Sequence, residues 1–226
     1  ILRRAKTIQG LKDAKEVSIW DESSTDKVNP YIWAPELQKI GDDWYILFTG
    51  ARQGGVWDIR PHMLKFTGDE FTGDAVMDAK NWELLGQVKA HEGDKHAFTS
   101  FSLDMTAFEA NGKHYLVWAE KPGASTIRMA QIDPKDPTQL LGDSLELSTP
   151  NQAWEQNDAQ NLAGDEGPAV IHHDGKVFVS FSGSSVDRNY AVGLLGADED
   201  ADLMDPDSWT KTGYPVLTAD GVEDQG

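Results

Sequence analysis

Apolar and polar positions alternate along this chain in short bursts, and the bursts recur in a fixed order. A repeat decides the architecture, so its period comes before any single element. Three segments align. The first runs Trp33-Ala34-Pro35-Glu36-Leu37, a polar turn at Gly41-Asp42-Asp43, then Trp44-Tyr45-Ile46-Leu47-Phe48-Thr49-Gly50. The second runs Asp104-Met105-Thr106-Ala107-Phe108, Asn111-Gly112-Lys113, then His114-Tyr115-Leu116-Val117-Trp118-Ala119-Glu120. The third runs Glu166-Gly167-Pro168-Ala169-Val170, Asp174-Gly175-Lys176, then Val177-Phe178-Val179-Ser180-Phe181-Ser182-Gly183. Each is a strand, a turn of Asp, Asn and Gly, and a second strand of β-branched and aromatic residues, which is the signature of a hairpin.

The unit returns about every 60 to 70 residues. Further strand-like runs follow each hairpin, at 61–66, 126–132 and 190–195, with a fourth run at 82–88 and at 209–217. Four antiparallel strands per repeat, arranged radially, leave few open sheet edges. The pattern therefore predicts an all-β fold, a β-propeller of four-stranded blades, with about three blades plus part of another in this chain. A β-sandwich would also show many short strands, but it would not place the same hairpin at this period. Helices are scarce: 94–97 and 198–207 read as polar connections, the latter with a turn-favouring Asp205-Pro206. The segment 151–165 reads as a long loop rich in Asn, Gln and Gly, a kind of loop that more often carries function than not.

Composition narrows the function. At 226 residues, one large domain or two small ones would fit. The repeat favours one, residues 1–226 as a single propeller domain. Residue 1 is Ile and a polar stretch closes the chain, so the reading expects a domain incomplete at both ends. No stretch approaches the roughly 18 uninterrupted apolar residues of a membrane span. With 38 acidic against 20 basic residues, the formal charge of −18 repels a phosphate backbone, so no nucleic acid and no membrane is expected as a partner. The chain has no cysteine, which removes thiol nucleophiles and zinc-thiolate sites yet leaves a reducing cytoplasm and secretion from a bacterium equally open.

In a propeller the first strand of each blade lines the central channel, so Trp33, Asp104 and Glu166 are expected to converge there. Glycoside hydrolysis needs two carboxyl groups across the scissile bond, one to protonate the leaving group and one to activate water or attack. An aromatic face beside them suits a sugar ring. In a chain with 38 acids, any given acid is by default a solvated surface group. Against that default, both Asp104 and Glu166 lead into strongly apolar strands, where an unpaired buried charge is costly. Trp33 is by default a core aromatic. His172-His173 alternates across its strand and cannot present both rings to one metal, so no metal site is expected.

Trp33-Ala34-Pro35-Glu36-Leu37, Ser102-Leu103-Asp104-Met105-Thr106 with Phe108-Glu109, and Glu166-Gly167-Pro168-Ala169-Val170 together resemble glycoside hydrolase family 43, in particular its arabinofuranosidases acting on arabinan and arabino-oligosaccharides. Trp57-Asp58-Ile59-Arg60-Pro61, Trp154-Glu155, Phe181-Ser182 with Asn189-Tyr190, and the run 201–206 add to the likeness, which covers nearly the whole chain. The resemblance implies a five-bladed propeller and inverting hydrolysis by an aspartate base, an aspartate that orients the base and tunes the acid, and a glutamate acid. Glu166 matches the acid and Asp104 the tuning aspartate. Trp33, Glu36, Trp154 and Ser182 match substrate-binding positions. The base position falls before Ile1, so the general base is expected outside this chain and the chain alone is expected to be catalytically silent. Asp165 stands where an Asn commonly precedes the acid, and Gln38 where a His often follows. The resemblance implies no cofactor for the reaction, leaves room for a structural cation such as calcium in the channel of the complete protein, and points to arabino-oligosaccharide or arabinoxylan side chains as the carbohydrate partner. A β-xylosidase of the same family and a non-catalytic carbohydrate-binding propeller stand as alternatives.

Overall fold

The computed structural model describes residues 1–21, 23, 25, 28–52, 55–156 and 164–220. They form three antiparallel sheets in chain order. The first holds β1 (Asn29–Ile40), β2 (Asp43–Ala51), β3 (Ile59–Phe66) and β4 (Trp82–Gln87). The second holds β5 (Phe101–Ala110), β6 (Lys113–Lys121), β7 (Thr126–Asp133), β8 (Asp136–Leu140) and β9 (Leu145–Ser148), and the third holds β10 (Asp165–His173), β11 (Lys176–Gly183), β12 (Ala191–Asp198) and β13 (Thr210–Lys211). The first strands of the three sheets are neighbours: β1 packs beside β5, and β5 beside β10. This is the radial order of propeller blades. The only helical turns among the described residues are 3-10 turns of three or four residues, and none of these residues form a helix long and apolar enough to cross a membrane.

Local chemistry accounts for the hairpins. The second and third turn on Asn111-Gly112 and Asp174-Gly175, all four at positive φ, which is the two-residue turn whose twist matches that of paired strands. Alternation then sends successive side chains to opposite faces. On β6, Leu116 and Trp118 join Leu47, Met63 and Met105 in a core between the first two blades, while Tyr115, Val117 and Ala119 join Val177, Val179 and Phe181 in a core between the second and third. A third core sets Ile46, Phe48 and Leu64 against Ile19 and Val28 of the N-terminal segment.

Three details depart from the sequence reading. In the second blade, where the sequence showed no fourth strand, two short strands share that place: β8 and β9 both pair with β7. The run at 209–217 yields only the two-residue β13, with Leu217 making an isolated bridge to Val192, because Gly213 and Pro215 interrupt it. Of the long loop at 151–165, residues 153–156 form a 3-10 turn, 164 bridges to Ser125 and 165 opens β10, while 157–163 lie outside the described residues, as does most of the polar stretch that closes the chain. At Gly164 the backbone runs against Ser125 so closely that a Cβ there would lie 2.5 Å from the serine Cβ.

Candidate active site

Each innermost strand carries the same irregularity. In β1 the register steps from Trp33↔Thr49 to Glu36↔Leu47, in β5 from Leu103↔Ala119 to Thr106↔Val117, and in β10 from Glu166↔Ser182 to Ala169↔Ser180. Three steps on the inner strand meet two on its partner, so each strand holds a one-residue bulge, a device that re-aims side chains next to functional sites. The residue after the first pair has positive φ every time: Ala34 at 43°, Asp104 at 54° and Gly167 at 61°. The equivalence expected from sequence, Trp33 with Asp104 and Glu166, is therefore off by one in the middle blade. Asp104 corresponds to Ala34 and Gly167, and the counterparts of Glu166 are Trp33 and Leu103. The bulge is common to all three strands, so it does not shift one against another; the pattern alignment matched the polar Asp104 to Trp33 and Glu166 although it stands one place later.

The left-handed conformation costs a non-glycine residue about 1 to 2 kcal/mol, and at Asp104 it aims the carboxylate across the seam between blades. Asp104 Oδ2 accepts the Gly167 N–H at 3.0 Å, which places this carboxylate against the residue that follows Glu166. Burial raises the Asp104 pKa above the usual carboxylate range, the negative charge of Glu166 raises it further, and the Gly167 N–H pulls in the opposite direction. Glu166 is half-buried, and its Oε1 accepts the Tyr190 hydroxyl at 2.8 Å. Burial and the charge of Glu166 drive the Tyr190 pKa upward, so the phenol stays protonated and remains a donor to that carboxylate. Ser182 pairs with Glu166 across the hairpin and also bonds to Tyr190.

The first blade contributes differently. Glu36 Oε1 accepts the Thr106 hydroxyl at 2.6 Å and is also bonded by the Gln38 side-chain amide, so it ties β1 to β5. The Trp33 ring is half-buried, its centroid 5.4 Å from Phe101 and 6.2 Å from Trp57. Trp154 lies apart from this group. It packs over Gly183 and against Phe181, its buried indole N–H has no partner among the described residues, and with Tyr190 and Asn189 it lines a separate cleft of about 200 Å³. The structure thus brings Asp104, Glu166 and Ser182 together, sets Trp33 and Glu36 on the adjoining inner strand, and leaves Trp154 behind Tyr190.

Two supports were not singled out in the sequence. Glu120, fully buried, accepts the N–H groups of Phe98 and Ser100 and the Trp118 indole N–H, and the Arg60 guanidinium holds the Phe98 carbonyl at 2.9 Å. Together they fix the entry to β5, three residues before Asp104. On the far side, Asp165 and Glu155 are both fully buried around Lys211, whose Nζ lies 2.5 Å from Glu155 Oε1 and 3.3 Å from Asp165 Oδ2. Ser148 donates to Asp165 Oδ2 at 2.6 Å, while Asp165 Oδ1 has no partner among the described residues. Burial raises the Asp165 pKa to about 6 against the pull of Ser148 and Lys211, with the charge of Glu155 adding to the rise. An acid at the end of an apolar strand, as Glu120 is, could have signalled the first support. The second joins residues far apart in sequence and carries no local pattern.

Among the described residues no three His, Asp or Glu side chains are grouped as metal ligands. His172 meets Glu199 at 3.0 Å and His173 meets Asp174 at 3.2 Å, on separate sides of the strand.

Fold and site together define a β-propeller protein whose neighbouring inner strands bring two carboxylates together. The family model described as glycosyl hydrolases family 43 matches residues 1–226, and the chain belongs to that family. It is 37% identical to an extracellular exo-α-(1→5)-L-arabinofuranosidase of Streptomyces avermitilis, over 96% of this chain and 42% of that protein. A protein of the same description from Streptomyces chartreusis is 36% identical over 100% of this chain and 65% of its own length. The crystal structure of an α-L-arabinofuranosidase from Lactobacillus brevis matches at a TM-score of 0.77 and 34% identity, covering 94% of this chain and 64% of that one. The chain thus spans between 42% and 65% of the length of these curated relatives.

Proposed function

We propose that this chain carries the acid side of the active site of an exo-acting α-L-arabinofuranosidase that hydrolyses arabinan or arabino-oligosaccharides with inversion. The observation that carries the reading is the juxtaposition of two carboxylates from adjacent blades, Asp104 bonded to the backbone of Gly167 and Glu166 bonded to Tyr190. The names of the relatives supply the arabinofuranosyl substrate. Glu166 protonates the glycosidic oxygen as the bond to the anomeric carbon breaks, and Tyr190 and Ser182 orient it. Asp104 lies behind the departing oxygen, a fixed negative charge that tunes the acid and orients the base. Inversion requires a second carboxylate about 6.5 to 9.5 Å from the acid, taking the proton of the attacking water on the opposite face. No residue named above is assigned that role. Trp33 forms one wall of the pocket for the terminal sugar, and no cofactor takes part in the proton transfers described.

The test uses the complete reading frame with aryl α-L-arabinofuranoside and aryl β-xyloside, and a Glu166→Gln variant. Turnover of the arabinoside that falls at least about a thousandfold in Glu166→Gln on a poorly activated substrate, with binding retained, fits the assignment. Preference for the xyloside would move the enzyme to β-xylosidase. Oligosaccharide binding without any turnover would make the propeller a carbohydrate-binding module.

A further inference from the structure

An aromatic row starts on β1 at Trp33. Trp33 occupies the place in the first blade that Glu166 occupies in the third, immediately ahead of the bulge. From it the rings continue outward: Trp33 to Trp57 at 6.2 Å between centroids, then Trp57 to Tyr31 at 5.2 Å. Tyr31 precedes Trp33 by two residues on the same strand. The two outer rings are exposed, Trp57 at 62% and Tyr31 at 45%, beside the half-buried Trp33.

These rings are held in place rather than loosely exposed. Asp58, next to Trp57, is gripped from two sides: its Oδ2 by Arg52 Nε at 2.6 Å, its Oδ1 by Arg60 Nη2 at 2.9 Å. The Arg60 side chain is 5% exposed and is anchored in turn on the Phe98 and Ile59 carbonyls. Arg52 N–H and Asp58 N–H close the turn through the Asp58 and Gly55 carbonyls, both at 3.0 Å. Tyr31 adopts φ of 74°, a conformation that costs a bulky residue energy and that the surrounding strand must sustain. A buried arginine, a twice-bonded aspartate and a strained tyrosine fix two apolar faces in water beside a carboxylate site. Surface apolar rings scattered singly need no explanation, but a rigid contiguous row that leads into a site does.

Resting on the function proposed above, we infer that Trp57 and Tyr31 form a platform for the leaving-group side of the substrate, stacking on the second and third sugars of an oligosaccharide whose terminal sugar lies at the carboxylate pair. The C–H face of a sugar lies flat on an aromatic ring, and pre-set rings lose little freedom on binding. An exo enzyme gains from such a platform because the cleaved bond lies at the pocket mouth, with all the remaining chain outside it.

The test compares kcat/KM of the complete enzyme on arabinobiose and arabinotriose, with the xylose counterparts run in parallel, for wild type, Trp57→Ala, Trp57→Phe and Tyr31→Ala. Wild type should favour the longer substrate by about fivefold or more, through KM. Trp57→Ala should bring that ratio to near one, Tyr31→Ala should lower it, and Trp57→Phe should keep most of it. Titration calorimetry in a Glu166→Gln background gives the same comparison without turnover, and the thermal midpoint of each variant reports folding. A longer-substrate advantage that survives Trp57→Ala, or that wild type never shows, overturns the platform and leaves the proposed activity standing. If wild type cleaves neither sugar series, the proposed activity and the platform fall together.

Discussion

Replacing Asp165 with Asn should stabilise the protein at neutral and alkaline pH and not in acid. Asp165 and Glu155 share one ammonium, that of Lys211, so at full ionisation the buried cluster holds one negative charge too many. The folded-state pKa of Asp165 is raised to about 6 from an ordinary value of 3.8. Since the folded value lies above the unfolded one, the native state binds the proton more tightly. The resulting stability is fully present below pH 3.8 and is lost as pH rises through about 6. A shift of roughly two units corresponds to about 3 kcal/mol at pH 7 and above. Asn keeps the shape, and its carbonyl can still accept from Ser148 and Lys211. Its amide would occupy the place of the partnerless Oδ1 and leave a donor unsatisfied, costing about 1 kcal/mol. The expected net gain is therefore about 2 kcal/mol at pH 8, turning into a small loss near pH 4.5. Urea denaturation of both proteins at half-unit intervals from pH 4.5 to 8 measures the difference directly. If the variant is as stable as wild type at every pH, or loses ground as pH rises, then Lys211 neutralises both acids and the reasoning is wrong.

Two further expectations follow from the inner strands. Asp104→Asn replaces the carboxylate that accepts the Gly167 N–H beside Glu166, so kcat/KM of the complete enzyme should fall at least about tenfold while the thermal midpoint changes little; an unchanged kcat/KM in a folded variant would refute the proposed role. Ala34→Gly relieves the positive φ at the first bulge and should raise stability by up to about 1 kcal/mol, since the exposed Ala34 methyl has little packing to lose. A destabilised variant in urea melts would mean that the methyl carries a contact the strain argument neglects.

The hairpins were legible because two-residue Asn-Gly and Asp-Gly turns and β-branched strands act over a few residues. The misalignment at Asp104 was legible too, by a different count. Trp33 and Glu166 stand eight residues before Gly41 and Asp174, but Asp104 stands seven before Asn111, which betrays the one-place offset once the turns are the reference. Trp57 offered a signal as well: an indole in a turn of Gly55, Asp58 and charged neighbours has little beside it to pack on. What could not be read is what long-range pairing creates. Glu36 is bonded to Thr106, Asp104 to Gly167 and Asp165 to Ser148, and each pairing depends on which blade lies next to which. Trp154 shows the converse, a residue matched to a binding position that here packs over Gly183, whose lack of a side chain makes the space.

The contact at Gly164 bears on how the two carboxylates move. There the backbone that leads into Glu166 lies flush on the turn that ends β6, with Asp165 N–H bonded to the Ser125 carbonyl at 2.9 Å and Ser184 N–H to the Gly164 carbonyl at 3.2 Å. Asp104 belongs to one side of this seam and Glu166 to the other. At Gly164 no side chain separates the two backbones, so the blades cannot part there without breaking the hydrogen bond from Asp165 N–H to the Ser125 carbonyl. The amide of residue 165 should therefore exchange with solvent in step with the strands of both blades, as one cooperative unit, and the spacing of the acid pair should stay constant until that unit opens.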